Sequence, residues 1–531
     1  MGEIKLLDCT LRDGGYVNDW AFGHDNLVSI FERVVEANVD IIEVGFLDER
    51  RQFDINRSIM PTSDCMEKIY GKLNRKNTMV VGMIDYGTCG LENISECKDS
   101  YLDGIRVIFK KHLREGAMKF CKALKDKGYK VFSQLVSVTS YSDDEMMDLI
   151  RLANEVEPYA VSMVDTYGLM HQNNLMHYFE LLNNNLKPEI GIGYHGHNNF
   201  QMGYANCIAM LEKKIDREMV VDGTIYGMGK SAGNAPIELI AMHMNNSLGK
   251  DYQISQFLEA IDANITQFYK PATWGYNMFF YLAASNECHP NYVTDLMNKR
   301  TLSVKSINEL LAMLEGEKKL LYDKAYMEEL YLKYQDKEVN DEDTLNTLGK
   351  ILKNRQILLV GPGSTMSEDR PKIEDFVEKS KPVIISINYV PSYLKPDYVF
   401  ISNAKRYVQL ATTLSNEAYP IIATSNVTPS NGQFDYVLNI SSLLDRKAKI
   451  IDNSLIMLLK AFEKMEISNV TLAGFDGYSK ETSNYFRNSM EYDFIKGMED
   501  YLNEYTTNYL DSVKDEIHIE FLTDSKYRGV E

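Results

Sequence analysis

The stretch IKLLDCTLRDGG, residues 4–15, is a short apolar run that ends in charged residues and glycines. Near-continuous apolar strands that alternate with amphipathic helices are typical of a buried parallel sheet. Seven further runs of this kind follow, namely IIEVGF (41–46), VVGMIDY (80–86), GIRVIF (104–109), KVFSQLVSV (130–138), AVSMVDT (160–166), EIGIGYHGH (189–197) and MVVDGTIYGM (219–228). Eight units within about 250 residues predict a (β/α)8 TIM barrel. An open doubly wound sheet is the alternative, but the even spacing of the units favours closure.

The rest of the chain predicts two further parts. With 531 residues it exceeds a typical single domain. We predict an α/β protein with the barrel over 1–255, a helical connecting segment over 256–345, and a carboxyl-terminal Rossmann-like α/β domain over 346–531. The middle segment has apolar side chains at helical spacing. The last part begins a new series of apolar runs with ILLVGPGS (357–364), and it has no cysteine and only one histidine, His518.

The overall composition excludes several classes of protein. Hydrophobic residues make up 44% and charged residues 25%, which is an ordinary globular mixture. The formal charge of -19 argues against nucleic-acid and anionic-membrane partners, since both require basic surfaces. The seven cysteines form no CxxC pair. We therefore expect free thiols in a reducing cytoplasm, and the absence of an apolar leader or of an 18-residue apolar run agrees with that expectation.

A His-x-His pair is the sharpest chemical feature of the sequence. His195 and His197 are two residues apart on a predicted strand, so both imidazoles face one side and can bind one metal ion. A third ligand is needed, and Asp13, at the end of the first strand, is the candidate because strands 1, 7 and 8 become neighbours when a barrel closes. A carboxylate beside two imidazoles suits Mn²⁺, Mg²⁺, Fe²⁺ or Zn²⁺. A buried hydrogen-bonded histidine pair without metal is the alternative interpretation.

Two further residues belong to the same predicted cleft. Arg12 adjoins Asp13, and a cation beside a metal makes sense if an anionic oxygen lies between them, such as an enolate. The alternative is a salt bridge to Glu43 or Asp85. Asn234 lies in the glycine-rich loop after the last barrel strand and either reaches the metal or caps the following helix.

These motifs resemble the DRE-TIM metallolyase superfamily, the HMG-CoA lyase-like barrels, and most closely its 4-hydroxy-2-oxovalerate aldolase branch. The resemblance covers roughly residues 4 to 315. It is carried by DCTLRDGG (8–15), IEVGF (42–46), DTYG (165–168), YHGHNN (194–199), GNAP (233–236) and WGYNMFFYLAA (274–284).

The resemblance implies a divalent metal ion, Mn²⁺ or Mg²⁺ with Zn²⁺ as a further candidate. Asp13, His195 and His197 would bind it, and related lyases add an asparagine in the place of Asn234. Arg12 would stabilise an enolate, and Tyr276 would close over the site. The implied partners are a small 2-oxo acid and an aldehyde, together with an acylating aldehyde dehydrogenase or further copies of this chain.

One position departs from the aldolase pattern. A histidine normally follows the metal-binding aspartate by three residues and serves as the base, whereas this chain has Tyr16. An unperturbed phenol is a poor base at neutral pH. The sequence therefore predicts a metal-dependent aldolase that cleaves or forms a 4-hydroxy-2-oxo acid from pyruvate and an aldehyde, with Tyr16 as candidate base. The alternatives are a Claisen-type acyl-CoA lyase or synthase, and an inert barrel that carries a nucleotide-binding domain.

The carboxyl-terminal part resembles the nucleotide-handling α/β domains of motility-accessory-factor and sialyltransferase-like proteins. The resemblance rests on ILLVGPGS (357–364) and LAGFDGY (472–478). A glycine turn after a strand suits the approach of backbone amides to a phosphate. The candidate contacts for a nucleotide or sugar nucleotide are Gly361, Gly363, Ser364, Asn403 and Asp476, and a scaffold without ligand is the alternative.

Overall fold

The computed structural model describes residues 2–270, 273–298, 302, 304–335, 339–427, 429, 433–480 and 497–528. By its internal contacts the chain divides into two compact units, Met1–Pro290 and Asn291–Glu531. The predicted three-part division of the chain stays a prediction.

Nine parallel strands form the sheet of the first unit. They are β1 (Ile4–Asp8), β2 (Ile41–Leu47), β3 (Ile59–Met60), β4 (Met79–Asp85), β5 (Gly104–Phe109), β6 (Lys130–Leu135), β7 (Ala160–Asp165), β8 (Gly191–Gly196) and β9 (Met219–Gly223). Because β1 pairs with both β9 and β2, eight of the strands close into a ring. The two-residue β3 pairs with β2 outside this ring. The predicted TIM barrel is confirmed.

Helices follow most of the barrel strands. They are α1 (Thr10–Asp13), α2 (Gly15–Asn18), α3 (His24–Glu36), α4 (Asp64–Tyr70), α5 (Arg114–Asp126), α6 (Asp143–Val156), α7 (Gln172–Asn185), α8 (Gly203–Leu211), α9 (Ile237–Leu248), α10 (Ile254–Ala260) and α11 (Met278–Ser285). The sequence of α6 shows why such a helix starts where it does. Ser142 and Glu145 form a capping box that satisfies two backbone donors at its first turn.

The interior of the barrel changes from apolar to charged along its axis. Val81, Phe132 and Val220 belong to an apolar cluster within the barrel. In two strands the residue two positions further along, on the same inward face, is charged: Asp222 follows Val220 in β9, and Glu43 follows Ile41 in β2. Both carboxylates are buried. The alternation therefore places buried charge at the carboxyl end of the barrel, where the active sites of TIM barrels lie.

A second parallel sheet forms the centre of the second unit. Its strands are β10 (Ile357–Val360), β11 (Val383–Ile387), β12 (Tyr398–Ile401), β13 (Ile421–Thr424), β14 (Tyr436–Leu438), β15 (Asn469–Ala473) and β16 (His518–Phe521), in the order β14-β13-β12-β11-β10-β15-β16. The helices are α12 (Pro290–Asn298), α13 (Val304–Leu311), α14 (Lys324–Gln335), α15 (Glu342–Leu352), α16 (Thr365–Glu368), α17 (Arg370–Ser380), α18 (Ala404–Glu417), α19 (Ser454–Lys464) and α20 (Glu499–Ser512). This arrangement confirms the predicted second α/β sheet. The strand order reverses between β10 and β15.

Within the described ranges, no helix combines the length and the apolar character that a membrane span needs.

Candidate metal and active site

The residues that follow β1 form the floor of the candidate site. Thr10 to Asp13 make a single helical turn, α1, directly after the strand. Arg12 and Asp13 are both buried there, at the carboxyl end of the barrel. Thr10 holds this turn against the last strand, because its hydroxyl accepts a hydrogen bond from the backbone N–H of Ile225 at 2.8 Å.

Asp13, His195 and His197 come together as the sequence predicted. His195 Nε2 lies 3.5 Å and His197 Nε2 lies 3.9 Å from Oδ2 of Asp13, and all three side chains are buried. Ligand atoms that share one ion at about 2.1 Å are roughly 3 to 3.5 Å apart. The three groups are therefore spaced as ligands of one metal ion, and their role as ligands stays a prediction.

Hydrogen bonds at the far side of each imidazole set its orientation. His195 Nδ1 lies 2.9 Å from Oδ2 of Asp222, and His197 Nδ1 lies 3.1 Å from the carbonyl oxygen of Lys230. Both oxygens are acceptors, so Nδ1 carries a proton in each ring. Metal-binding histidines commonly donate one ring N–H in this way and bind the ion through the other nitrogen. Both Nε2 atoms therefore face Asp13.

Asn234 completes the cluster from the loop after β9. Its Nδ2 donates to Oδ1 of Asp13 at 3.0 Å, whereas its own Oδ1 is buried and has no hydrogen-bond partner in the described part of the chain. A buried acceptor without a partner is costly, and a cation would satisfy it. The residue that precedes α9 is Pro236, so Asn234 is not its N-cap. The residues present therefore fit a divalent metal ion.

Buried ion pairs join this cluster into a closed ring of side chains. Arg12 Nε donates to Glu43 at 2.6 Å, and Arg106 Nη1 lies 3.2 Å from the same Glu43 oxygen. Arg12 also pairs with Asp13, and Arg106 pairs with Asp222. Asp222 contacts His195, which returns to Asp13. The ring holds two guanidinium groups, one imidazole and three carboxyl groups.

The pKa values of the cluster follow from burial and from these pairs. Burial alone would raise the pKa of Asp13, but Arg12 and the two histidines outweigh it and hold that pKa well below its usual range. For His195 burial lowers the pKa, yet its bonds to Asp13 and Asp222 raise it more. Burial lowers the pKa of His197 to about 4. At neutral pH His197 is therefore a neutral ligand group.

The glycine-rich loop after β9 approaches the cluster closely. A Cβ atom at Gly229 would lie 2.1 Å from Nδ2 of Asn234 and 2.7 Å from Oδ1 of Asp13, so only glycine fits there. The next residue, Lys230, donates its backbone N–H to Oδ1 of Asp13 at 3.1 Å. The small residues of this loop thus let the main chain itself contact the candidate ligands.

Tyr16 and Tyr276 lie at the mouth of the barrel and are both partly accessible. Tyr16 is 40% exposed and packs against the rings of Trp20 and Phe46. Desolvation of the phenol raises its pKa, although the guanidinium of Arg12 lowers it. Tyr276 is 62% exposed.

The segment that contains Tyr276 is anchored on the glycine-rich loop after β9. Gly275 N–H donates to the carbonyl of Ala232 at 3.2 Å, and Trp274 Nε1 donates to the carbonyl of Tyr226 at 3.0 Å. The roles of Tyr16 and Tyr276 stay predictions.

In the second unit, the predicted residues meet where the strand order reverses, the usual place for a ligand in such sheets. The Gly361 and Gly363 amides donate to the carbonyls of residues 473 and 474 at 2.8 and 2.9 Å. The carboxylate of Asp476 accepts from Ser364 Oγ at 3.1 Å and from Thr365 N at 3.0 Å. The amides of this turn thus already have partners within the protein.

Asn403 lies apart from that turn, at the start of α18. Its Oδ1 accepts a hydrogen bond from the backbone N–H of Arg406 at 3.1 Å, which caps the helix. A nucleotide or sugar-nucleotide site in the second unit stays a prediction.

Sequence reasoning missed Asp222 and the side chain of Lys230. Asp222 is a buried acid inside an apolar strand run, and that feature is a usable signal because such residues are almost never buried without a partner. Lys230, in contrast, looks like an ordinary exposed lysine of a glycine-rich loop.

Comparison with known proteins agrees with this geometry. Residues 3–263 match the HMGL-like family. An oxaloacetate decarboxylase of Mycobacterium tuberculosis is 27% identical over 45% of this chain and 69% of that protein. A 4-hydroxy-2-oxovalerate aldolase of a Marinomonas species is 25% identical over 46% of this chain and 71% of that protein. The amino-terminal domain of a candidate aldolase from Bacteroides vulgatus is 23% identical, with a TM-score of 0.48 over 57% of this chain and 99% of that domain.

The family match ends before the second unit, so the resemblance of residues 346–531 stays a prediction. The matched residues include Arg12, Asp13, His195, His197 and Asn234, which converge at one end of the closed barrel. The barrel of this chain is therefore similar to HMGL-like domains over residues 3–263.

Proposed function

We propose that this protein is a divalent-metal-dependent aldolase that cleaves or forms a 4-hydroxy-2-oxo acid from pyruvate and an aldehyde. The observation that carries the proposal is the convergence of Asp13, His195 and His197, with both Nε2 atoms turned toward the carboxylate. Asn234 Oδ1 is the candidate fourth ligand atom. Mn²⁺ or Mg²⁺ is the proposed ion, with Zn²⁺ as a further candidate.

A metal ion held by these residues would act as a Lewis acid on the carboxylate and keto oxygens of a 2-oxo acid. Arg12 supplies the second element of the site. Its Nε and Nη1 are used by Glu43 and Asp13, whereas its Nη2 forms no hydrogen bond within the described residues. That donor is held in place by two carboxylates and can stabilise the enolate oxygen that develops during the reaction.

The bond changes in the cleavage direction are simple. The phenolate of Tyr16 takes the proton of the 4-hydroxyl group, the C3–C4 bond breaks, an aldehyde leaves, and the electron pair forms the enolate of pyruvate, which is then protonated at C3. Addition is the reverse: the phenol of Tyr16 gives its proton to the aldehyde oxygen as the C3–C4 bond forms. Tyr16 is the proposed partner of the 4-hydroxyl group. Its raised pKa means that the phenol is protonated at neutral pH, which suits the addition direction, where the aldehyde oxygen must receive a proton. Tyr276 is the proposed cover of the bound substrate.

The same enolate arises when a 2-oxo dicarboxylic acid loses CO₂ from C4. One relative is named oxaloacetate decarboxylase, so oxaloacetate belongs among the test substrates. A Claisen-type reaction remains the alternative within this fold, and it would require an acyl-CoA ester.

The experiment that tests the proposal is metal analysis of the purified full-length protein together with a pyruvate-release assay. The substrates are 4-hydroxy-2-oxo acids of increasing chain length, oxaloacetate and an acyl-CoA ester. We expect one bound divalent ion per chain and metal-dependent release of pyruvate. A protein without metal and without turnover would favour the inert-barrel interpretation, and turnover of the acyl-CoA ester alone would favour the Claisen alternative.

A further inference from the structure

Lys230 joins the candidate ligand cluster by its main chain and leaves its ammonium group free. The backbone N–H binds Asp13 and the backbone carbonyl binds His197. The ammonium nitrogen lies 5.4 Å from the ring centre of Tyr16. Among the residues that the structure describes, it donates no hydrogen bond and forms no ion pair. A lysine held over the mouth of a cleft without a carboxylate partner is unusual, because desolvating an unpaired charge is costly.

The acidic groups around Lys230 do not account for its position. Asp13 is engaged by Arg12, by Asn234 and by the Lys230 amide. Asp85 interacts electrostatically with Lys230, but Lys110 and Arg50 also interact with the same carboxylate. Asp13 and Asp85 therefore act on Lys230 only at a distance, and within the described residues neither forms an ion pair with its ammonium group.

We infer that Lys230 binds an anionic group, a carboxylate or a phosphate, at the end of the substrate remote from the 2-oxo acid. The inference rests on the proposed function and narrows its substrate class to 4-hydroxy-2-oxo acids whose aldehyde half carries a negative charge. An ammonium on a flexible stem is well suited to pair with such a group.

The position of Lys230 relative to the candidate ligands and to Tyr16 supports this assignment. The backbone of Lys230 touches the residues that would hold the 2-oxo acid end, and its side chain extends from there toward Tyr16. A substrate with its 2-oxo acid end at the cluster and its reacting hydroxyl near Tyr16 thus places its far end near the ammonium.

Ligand pairs that differ only in the distal charge provide the test. Full-length protein with Mn²⁺ is titrated with 2-oxoglutarate and with 2-oxopentanoate, which have equal chain length but end in a carboxylate and a methyl group. Aldol addition of pyruvate to glycolaldehyde phosphate and to glycolaldehyde forms the phosphate arm. We expect the wild-type protein to prefer the anionic member of at least one pair, and that pair identifies the anion. Lys230→Met should reduce this preference about 10- to 100-fold, and Lys230→Arg should retain most of it.

Lys213→Met is the matched control. Lys213 also lies over an aromatic ring, with its nitrogen 5.9 Å from the ring centre of Phe179, but it follows α8 at the other end of the barrel. We expect the control to keep the wild-type preference. Equal affinity of the wild type for both members of each pair, or an unchanged preference in Lys230→Met, would overturn the role of Lys230 alone. Failure of every 2-oxo acid to bind or react would overturn the proposed function and this inference together.

Discussion

His195 and His197 present the same atom to Asp13, although a carboxylate holds one ring and a main-chain carbonyl holds the other. Each ring is therefore fixed independently and offers one candidate ligand atom. We predict that His195→Ala or His197→Ala removes the bound metal and leaves the barrel folded. Metal content by mass spectrometry and far-UV circular dichroism check this prediction.

The control for that pair of variants is His177→Ala. His177 is exposed on α7 and pairs with Asp143, away from the cluster. The control should keep the metal content of the wild type. Stoichiometric metal in both site variants would contradict the assignment of the ligands.

In the proposed reaction, Tyr16 is the partner of the 4-hydroxyl group of the substrate. We predict that Tyr16→Phe abolishes cleavage of the carbon–carbon bond but partly retains the exchange of pyruvate methyl protons, because exchange requires no deprotonation of a hydroxyl group. Turnover and proton exchange followed by nuclear magnetic resonance separate the two steps. Near-normal kcat in Tyr16→Phe would reassign Tyr16 to packing at the mouth of the barrel.

From the sequence alone, the residues of the candidate metal site are predictable, but the groups that hydrogen-bond to them and orient them are not. Asp13, His195 and His197 were predictable because strand ends of a closed barrel converge. Predicting the contact of Asp222 with His195 would have required the register between β9 and β8. The position of the Lys230 ammonium group depends on the path of a loop, which no sequence periodicity encodes. Arg12 does pair with Glu43, as one of its two interpretations predicted, and its role beside an anionic oxygen stays a prediction.

Among the secondary-structure elements, β1 ends in a buried acid that is independent of the candidate ligands. Asp8 accepts hydrogen bonds from the side chain and the amide of Thr10, at 2.7 and 3.1 Å, yet burial raises its pKa to about 7. In the unfolded chain that pKa is about 4. Between these values the folded protein keeps a proton that the unfolded chain has released, so the free energy of unfolding falls as the pH rises, on the order of 4 kcal/mol in total.

We predict that Asp8→Asn removes this dependence. Relative to the wild type, the variant should gain stability from pH 5 to pH 8, as measured by the midpoint of unfolding in guanidinium chloride. Asp126→Asn is the control, because Asp126 is exposed on α5. A difference between Asp8→Asn and the wild type that is the same at both pH values would contradict the prediction.

The sequence predicts strands and helices well where they coincide with long apolar runs, and poorly where the element is only a few residues long. All eight barrel strands coincide with the apolar runs. The short strand β3 and the single turn α1 were not predictable, because two to four residues carry no period. Their existence depends on tertiary contacts, such as the hydrogen bond from Ser58 Oγ to the carbonyl of Leu11 at 2.6 Å.

At the scale of the whole molecule, every residue of the candidate metal site lies in the first unit. The main apolar cluster of that unit runs from Leu6 to Trp274 and includes no residue of the second unit. We predict that a chain ending at Pro290 still folds and binds one divalent ion per molecule. Metal analysis and cooperative thermal unfolding test it, and an insoluble or metal-free fragment would contradict it.

The overall organisation was predictable because composition and apolar runs are global properties of the chain. The barrel and the second parallel sheet both follow from them. A ligand of the second unit cannot be predicted from these properties. The carboxylate of Asp476 already accepts a hydrogen bond in the turn where backbone amides were expected to meet a phosphate.

The closed ring of Arg12, Asp13, Glu43, Arg106, Asp222 and His195 has a thermodynamic consequence. Every member has two charged neighbours, so no substitution is local, and effects of residues in one network do not add. In a double-mutant cycle of Glu43→Gln and Asp222→Asn, the loss of metal affinity in the double variant should differ from the sum of the single losses by about 1 kcal/mol. The affinity for the proposed metal ion and the charge environment of Arg12 are therefore coupled quantities, and a substitution in this barrel cannot adjust one without the other.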